Sequence, residues 1–176
     1  MISYIRRILS RLIAPQHKLR CSSSIWKTLT DELRMRGEGI REAGAFILGK
    51  VEPDGRRLAT HIVFYDDLDK SALRGGYVCM TPEGYSKLWN ICSGLNNSVI
   101  ADVHTHPGIA LQSLSDKKHP MIIKSGHIAM IIPNFAKDIP ISLKTLGMFE
   151  YQGMGKWRTL SNYQNPKPFI LISKWI

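Results

Sequence analysis

The chain reads as an α+β domain, and three observations predict it. Apolar runs of strand length recur along most of the sequence. Two or three helical segments sit among them at irregular intervals, without the regular alternation of a parallel α/β fold. At 176 residues the chain has the length of one domain with a full core, and 44% hydrophobic residues argue against disorder.

Residues 1–15 are expected to form an N-terminal amphipathic helix, ahead of a single domain over residues 16–176. Ile5, Ile8, Leu9, Leu12 and Ile13 share one face, and Pro15 ends the helix. Arg6, Arg7 and Arg11 interrupt the apolar stretch, unlike the core of a secretory signal. Such a helix packs on its own domain or on a second copy of the chain, as in a homodimer, or lies on a membrane surface. Lys18 to Cys21 reads as a short strand. Ser24 to Arg36 reads as a helix with Ile25, Leu29 and Leu33 in register, stopped near Gly37. Glu42 to Val51 is an apolar strand, Pro53-Asp54-Gly55 a turn and Leu58 to Tyr65 the returning strand of a hairpin.

Gly75 to Met80 is expected as another strand. Thr81 and Pro82 open a helix carrying Tyr85, Leu88, Trp89 and Cys92, which Gly94 to Asn97 stop. Val99 to Val103 is a short buried strand. Gly126 to Pro133 is a strongly apolar strand, and Thr145 to Tyr151 with Lys156 to Leu160 forms a hairpin. Phe169 to Ile176 is a last strand that closes an edge or meets a partner.

The net charge of +10 suits an acidic partner or polyanion, yet the aromatic-and-basic pattern of single-strand binders is missing. Nucleic acid is therefore disfavoured against a solvated basic surface. Cys21, Cys79 and Cys92 are widely spaced with no Cys-x-x-Cys, which fits buried thiols in a reducing compartment such as the cytoplasm. No apolar run reaches the length of a membrane span.

The stretch with chemistry in it is Val99 to Asp116. The strand delivers His104 and His106 to its C-terminal end, and residues two apart on a strand face the same way. Pro107 and Gly108 break the strand, and Ser113 is placed to cap a helix whose first turn holds Asp116. Two imidazoles and one carboxylate make up a catalytic zinc site with one position open. The plainer alternative is a pair of core histidines bonded to neighbouring carbonyls. Asp102 shares the face of His104, as an acceptor for an imidazole N–H or as a rival ligand. His127 reads as structural, His119 as lying on an exposed turn, and Thr105 as pointing away into packing.

His104-Thr105-His106-Pro107 followed by Ser113-x-x-Asp116 resembles the signature of the JAMM (MPN+/JAB) zinc metalloproteases. That family also has an upstream glutamate opening a strand, matched here by Glu42-Ala-Gly-Ala-Phe-Ile-Leu-Gly49. The resemblance runs from about Ser24 to Trp157, with the loop Gly108 to Gln112 one residue short of the usual spacing. It implies an MPN/JAB (cytidine deaminase-like) fold, a curved and mostly antiparallel sheet flanked by helices. It implies Zn²⁺ held by His104, His106 and Asp116, with Glu42 as general base and the Ser113 hydroxyl donating to the developing oxyanion.

The substrate it implies is a ubiquitin-like protein or its conjugate, cut after its C-terminal tail in deconjugation or precursor processing. Gly126-His-Ile-Ala-Met-Ile-Ile-Pro-Asn134 especially resembles members encoded beside bacterial ubiquitin-like conjugation enzymes, some in antiphage operons. Such a tail could pair as a strand with a sheet edge beside the site. Three other readings stay open: a non-catalytic MPN scaffold, a JAMM hydrolase acting on a small-molecule or sulfur-carrier substrate, and a nucleic-acid-linked role.

Overall fold

The computed structural model describes residues 18–75, 77–167 and 169–174. The expected helix over residues 1–15 lies outside the described residues. In chain order the elements are β1 (Leu19–Ser22), α1 (Ser23–Gly37), β2 (Gly44–Val51), β3 (Arg57–Phe64), α2 (Tyr65–Leu68) and α3 (Pro82–Gly94). Then follow β4 (Ser98–Thr105), α4 (Leu114–Lys118), β5 (Ile128–Ile132), β6 (Gly147–Gly153), β7 (Lys156–Ser161) and β8 (Ile170–Ser173). No helix among the described residues is long and apolar enough to cross a membrane.

All eight strands join one sheet in the order β7-β6-β5-β4-β2-β3-β1-β8. Among the described residues, four neighbouring pairs are antiparallel and three are parallel. The sheet is thus mixed, with β2 and β4 at its centre. The expected last strand is real, and it lies parallel to β1 at one edge.

Period-two alternation on the central strands explains why helices cover both faces. Ala45 and Ile47 of β2 join Leu29 and Leu33 of α1 in one apolar cluster. Phe46 and Leu48 join Tyr65, Leu68, Leu88 and Cys92 in another on the opposite face. The first helix begins where the Ser22 hydroxyl accepts from the Ile25 N–H at 3.1 Å, and it ends on Glu38 in the left-handed region (φ 52°). The second face is closely packed at the start of β2. A Cβ on Gly44 would stand 2.2 Å from the Tyr65 ring, so only glycine lets that ring lie against the start of β2.

One expected element is not there. Among the described residues the stretch expected as a strand over Gly75 to Met80 forms no ladder, because its backbone finds other partners. The Cys79 N–H donates to the Ala72 carbonyl at 3.2 Å, and Asp69 closes the loop by accepting from Ser71 N (2.8 Å) and Thr81 N (2.9 Å). The loop instead lays Val78, Cys79 and Met80 along a cavity wall.

Candidate metal centre

The site is built at the C-terminal end of β4. Alternation puts Asp102 and His104 on the face with the cavity, while Val103 joins the α1 cluster on the other. The strand runs on to Thr105, two residues past its expected end, and His106 follows it. His106 is fixed through its backbone: its N–H donates to the Ile132 carbonyl at 2.9 Å, and its carbonyl accepts from Phe135 N at 2.8 Å.

Thr105 does more than pack. Its hydroxyl accepts from the Ala43 N–H at 3.0 Å, and its own N–H donates to the Ala43 carbonyl at 2.9 Å. That clasp holds the residue next to Glu42, which sits just before β2 rather than inside it.

The short loop after Pro107 is pinned at Ala110, which is buried with Ile131 and Phe149. A Cβ on Gly147 would come within 2.1 Å of the Ala110 carbonyl oxygen, so the loop packs straight onto bare backbone. Ser113 then caps α4 as expected, in a reciprocal box. Its hydroxyl accepts from Asp116 N at 3.1 Å, and its N–H donates to Asp116 Oδ2 at 2.6 Å.

These segments bring the expected residues together. His104 Nε2 and His106 Nε2 stand 2.9 Å apart. Asp116 places Oδ1 at 3.5 Å from His104 Nε2 and Oδ2 at 3.3 Å from His106 Nε2. Glu42 Oε1 lies 3.7 Å from His106 Nε2, and one ligand atom each from Glu42, His104 and His106 fits within a 4.8 Å span. Two donors on one tetrahedral zinc, each about 2.0–2.1 Å from the metal, are roughly 3.3 Å apart. The observed separations bracket that value, so the donor set fits such an ion.

The electrostatics favour a cation at the same point. Burial pushes the Glu42 carboxyl up, against the lowering pull of the two imidazoles and the Val78 backbone. Burial would also raise Asp116, but its bonds to His104 and His106 hold it well below the usual carboxylate range. For His104, burial works against the charged form; the bond to Asp116 and the carboxylates of Asp102 and Glu42 outweigh it and raise the imidazole.

Asp102 is not a ligand, nor does it accept from a ligand imidazole. Its Oδ1 lies 2.5 Å from His127 Nε2, and its Oδ2 accepts from the Tyr65 hydroxyl at 3.3 Å. Its charge and hydrogen-bonding capacity go to tying β4 to His127 and to α2, and His104 Nδ1 is left buried without a partner. His127 is structural, as expected, and His119 is exposed.

One contributor has no signal in the sequence. The Trp157 indole N–H donates to the Lys117 carbonyl at 3.1 Å, anchoring a helix that buries none of its own side chains. Trp157 also carries β7, at one end of the sheet, to the wall of a cavity of about 480 Å³. Glu42, His104, Ser113 and Asp116 line that same cavity.

No family model matches the chain. Its fold resembles the solution structure of a Desulfitobacterium hafniense protein, with a TM-score of 0.60 and 12% identity over 90% of this chain and 94% of that one. A solution structure from Salinibacter ruber is similar with a TM-score of 0.56 and 16% identity, over 82% of this chain and 89% of that one. At such identities the similarity establishes the fold alone.

Proposed function

We propose that this chain is a JAMM-type zinc isopeptidase or peptidase with an MPN/JAB fold, acting on the C-terminal tail of a ubiquitin-like protein. The observation that carries the reading is the convergence of His104, His106 and Asp116 on one point, with the Glu42 carboxylate beside it. His104, His106 and Asp116 would hold the ion. When bound, zinc supplies an acidified water and a polarised carbonyl.

The protein's own groups do the rest. Glu42, with its carboxylate beside the proposed ligands, takes a proton from the attacking water and returns it to the leaving amine. The Ser113 oxygen accepts from Asp116 N, which leaves its O–H free to donate to the carbonyl oxygen as negative charge builds there. The cavity beside the ligands gives an extended tail room to lie across them.

The test compares wild type with Glu42→Gln on a ubiquitin fusion while zinc content is measured. Loss of a general base lowers kcat by about 10²–10⁴-fold with zinc retained. A parallel loss of zinc would make Glu42 a ligand instead. A wild-type protein that takes up no zinc, or that cleaves short peptides and spares the fusion, would overturn the reading.

A further inference from the structure

We infer that Trp157 is a positioning residue for the proposed zinc: its indole N–H, bonded to the Lys117 carbonyl, holds α4 where Asp116 reaches His104 and His106. The inference rests on the ligand set proposed above and concerns what keeps its third member in place. His104 and His106 need no such help, since β4 is paired on both sides and the His106 N–H donates to Ile132. Asp116 comes from a five-residue helix that buries none of its side chains, with Leu114 turned out to solvent. The box between Ser113 and Asp116 ties these two residues to each other but not to the sheet.

The fixed points of this segment are few. Upstream, Ala110 is buried with Ile131 and Phe149, and downstream the Tyr85 hydroxyl donates to the Met121 carbonyl at 2.7 Å. Between them, among the described residues and apart from the histidine contacts to Asp116, the only hydrogen bond from another element is the one from Trp157 Nε1 to the Lys117 carbonyl at 3.1 Å. That carbonyl belongs to the residue directly after the ligand. The indole in turn has a firm seat. It packs against the cluster of Ala110, Ile131 and Phe149 and meets the Tyr151 ring edge to face, with centroids 5.0 Å apart. Ile131 stands opposite His104 in the β4–β5 ladder. One ring therefore refers α4 to the same strands that carry the histidine it must face. A ligand held in place beforehand loses less freedom when the ion binds, so the tether is felt as zinc affinity.

Trp157→Phe keeps a ring on the cluster and removes the donor. Zinc affinity of the full chain, read by competition with a chromophoric chelator, and the Tm of the metal-free protein are measured for wild type, Trp157→Phe, Asp116→Asn and the double variant. Losing one neutral hydrogen bond weakens zinc binding by about 3–10-fold, and the metal-free Tm holds because α4 buries no side chain in the core. Asp116→Asn retains an acceptor for the Ser113 N–H, and in that background Trp157→Phe weakens zinc no further. An equal drop in both backgrounds would mean that the indole does not act through Asp116, and unchanged affinity in the single variant would remove its role. A metal-free Tm that falls in step with affinity would make Trp157 a prop of its hairpin. Each of these three outcomes overturns the inference alone. Asp116→Asn binding zinc as tightly as wild type would overturn the proposed ligand set and this inference with it, as would a wild type that takes up no zinc. Wild type that binds zinc without cutting the fusion would sink the proposed activity and leave this inference standing.

Discussion

Ser113 shows how one residue can be read twice. As a cap it accepts from Asp116 N, and as a hydroxyl it keeps a proton to give. The two roles separate in Ser113→Ala. Losing the cap costs about 1 kcal/mol of local stability, while losing an oxyanion donor lowers kcat by about 10²–10³-fold. Activity on the fusion should therefore fall far more than zinc occupancy; equal losses would reduce Ser113 to a builder of the site. At this scale most of the centre was legible, because His-x-His on a strand and Ser-x-x-Asp at a helix start fix direction through local geometry alone. Asp102 was not. Its face was right, but its partners, His127 and Tyr65, come from other elements, and no local spacing encodes them.

Among the elements, the loop between α2 and α3 departs most from what its residues suggest. Val78, Cys79 and Met80 have the look of a strand, yet they are apolar because they line a cavity. Asp69 organises this loop through Ser71 and Thr81, and those bonds hold its carboxyl below the usual range. A carboxylate depressed in the folded state stabilises fully above its unfolded value of about 3.9, and that contribution is lost as pH falls through the folded value. Asp69→Asn turns an acceptor toward Thr81 into a donor and should cost on the order of 1 kcal/mol at pH 7, a modest figure because the site is partly solvated. Its denaturant midpoint should converge on that of wild type below about pH 4. A gap that stays constant down to pH 2 would place the effect outside the ionised form. The helix carrying Asp116 tells a related story: its cap is written in Ser113-x-x-Asp116, but its tether to Trp157 crosses 40 positions of sequence and left no local trace.

For the whole molecule, the question is what the proposed metal centre would contribute to a fold whose two larger apolar clusters already lie one on each face of its sheet. The proposed ligands come from the end of β4, the residue after it and a short helix without a buried side chain. The core does not depend on that helix, so the protein should fold without metal and gain stability when zinc joins the three segments. At a free zinc concentration of 100 times Kd, linkage gives about 2.7 kcal/mol. For a domain of this size that is a rise in Tm of roughly 5–11 °C. Asp116→Asn, read by thermal unfolding with and without zinc, should lose most of that rise while keeping the metal-free Tm within a few degrees. The far-UV spectrum should not change on chelation, because strand pairing and both clusters persist. A rise of equal size in Asp116→Asn would mean that zinc binds elsewhere, and collapse of the metal-free protein would mean that the ion belongs to the folding of the domain. Retained fold with metal-dependent stability is the behaviour expected of a centre kept for chemistry, since its ligands then answer to the geometry of reaction and not to the needs of the core.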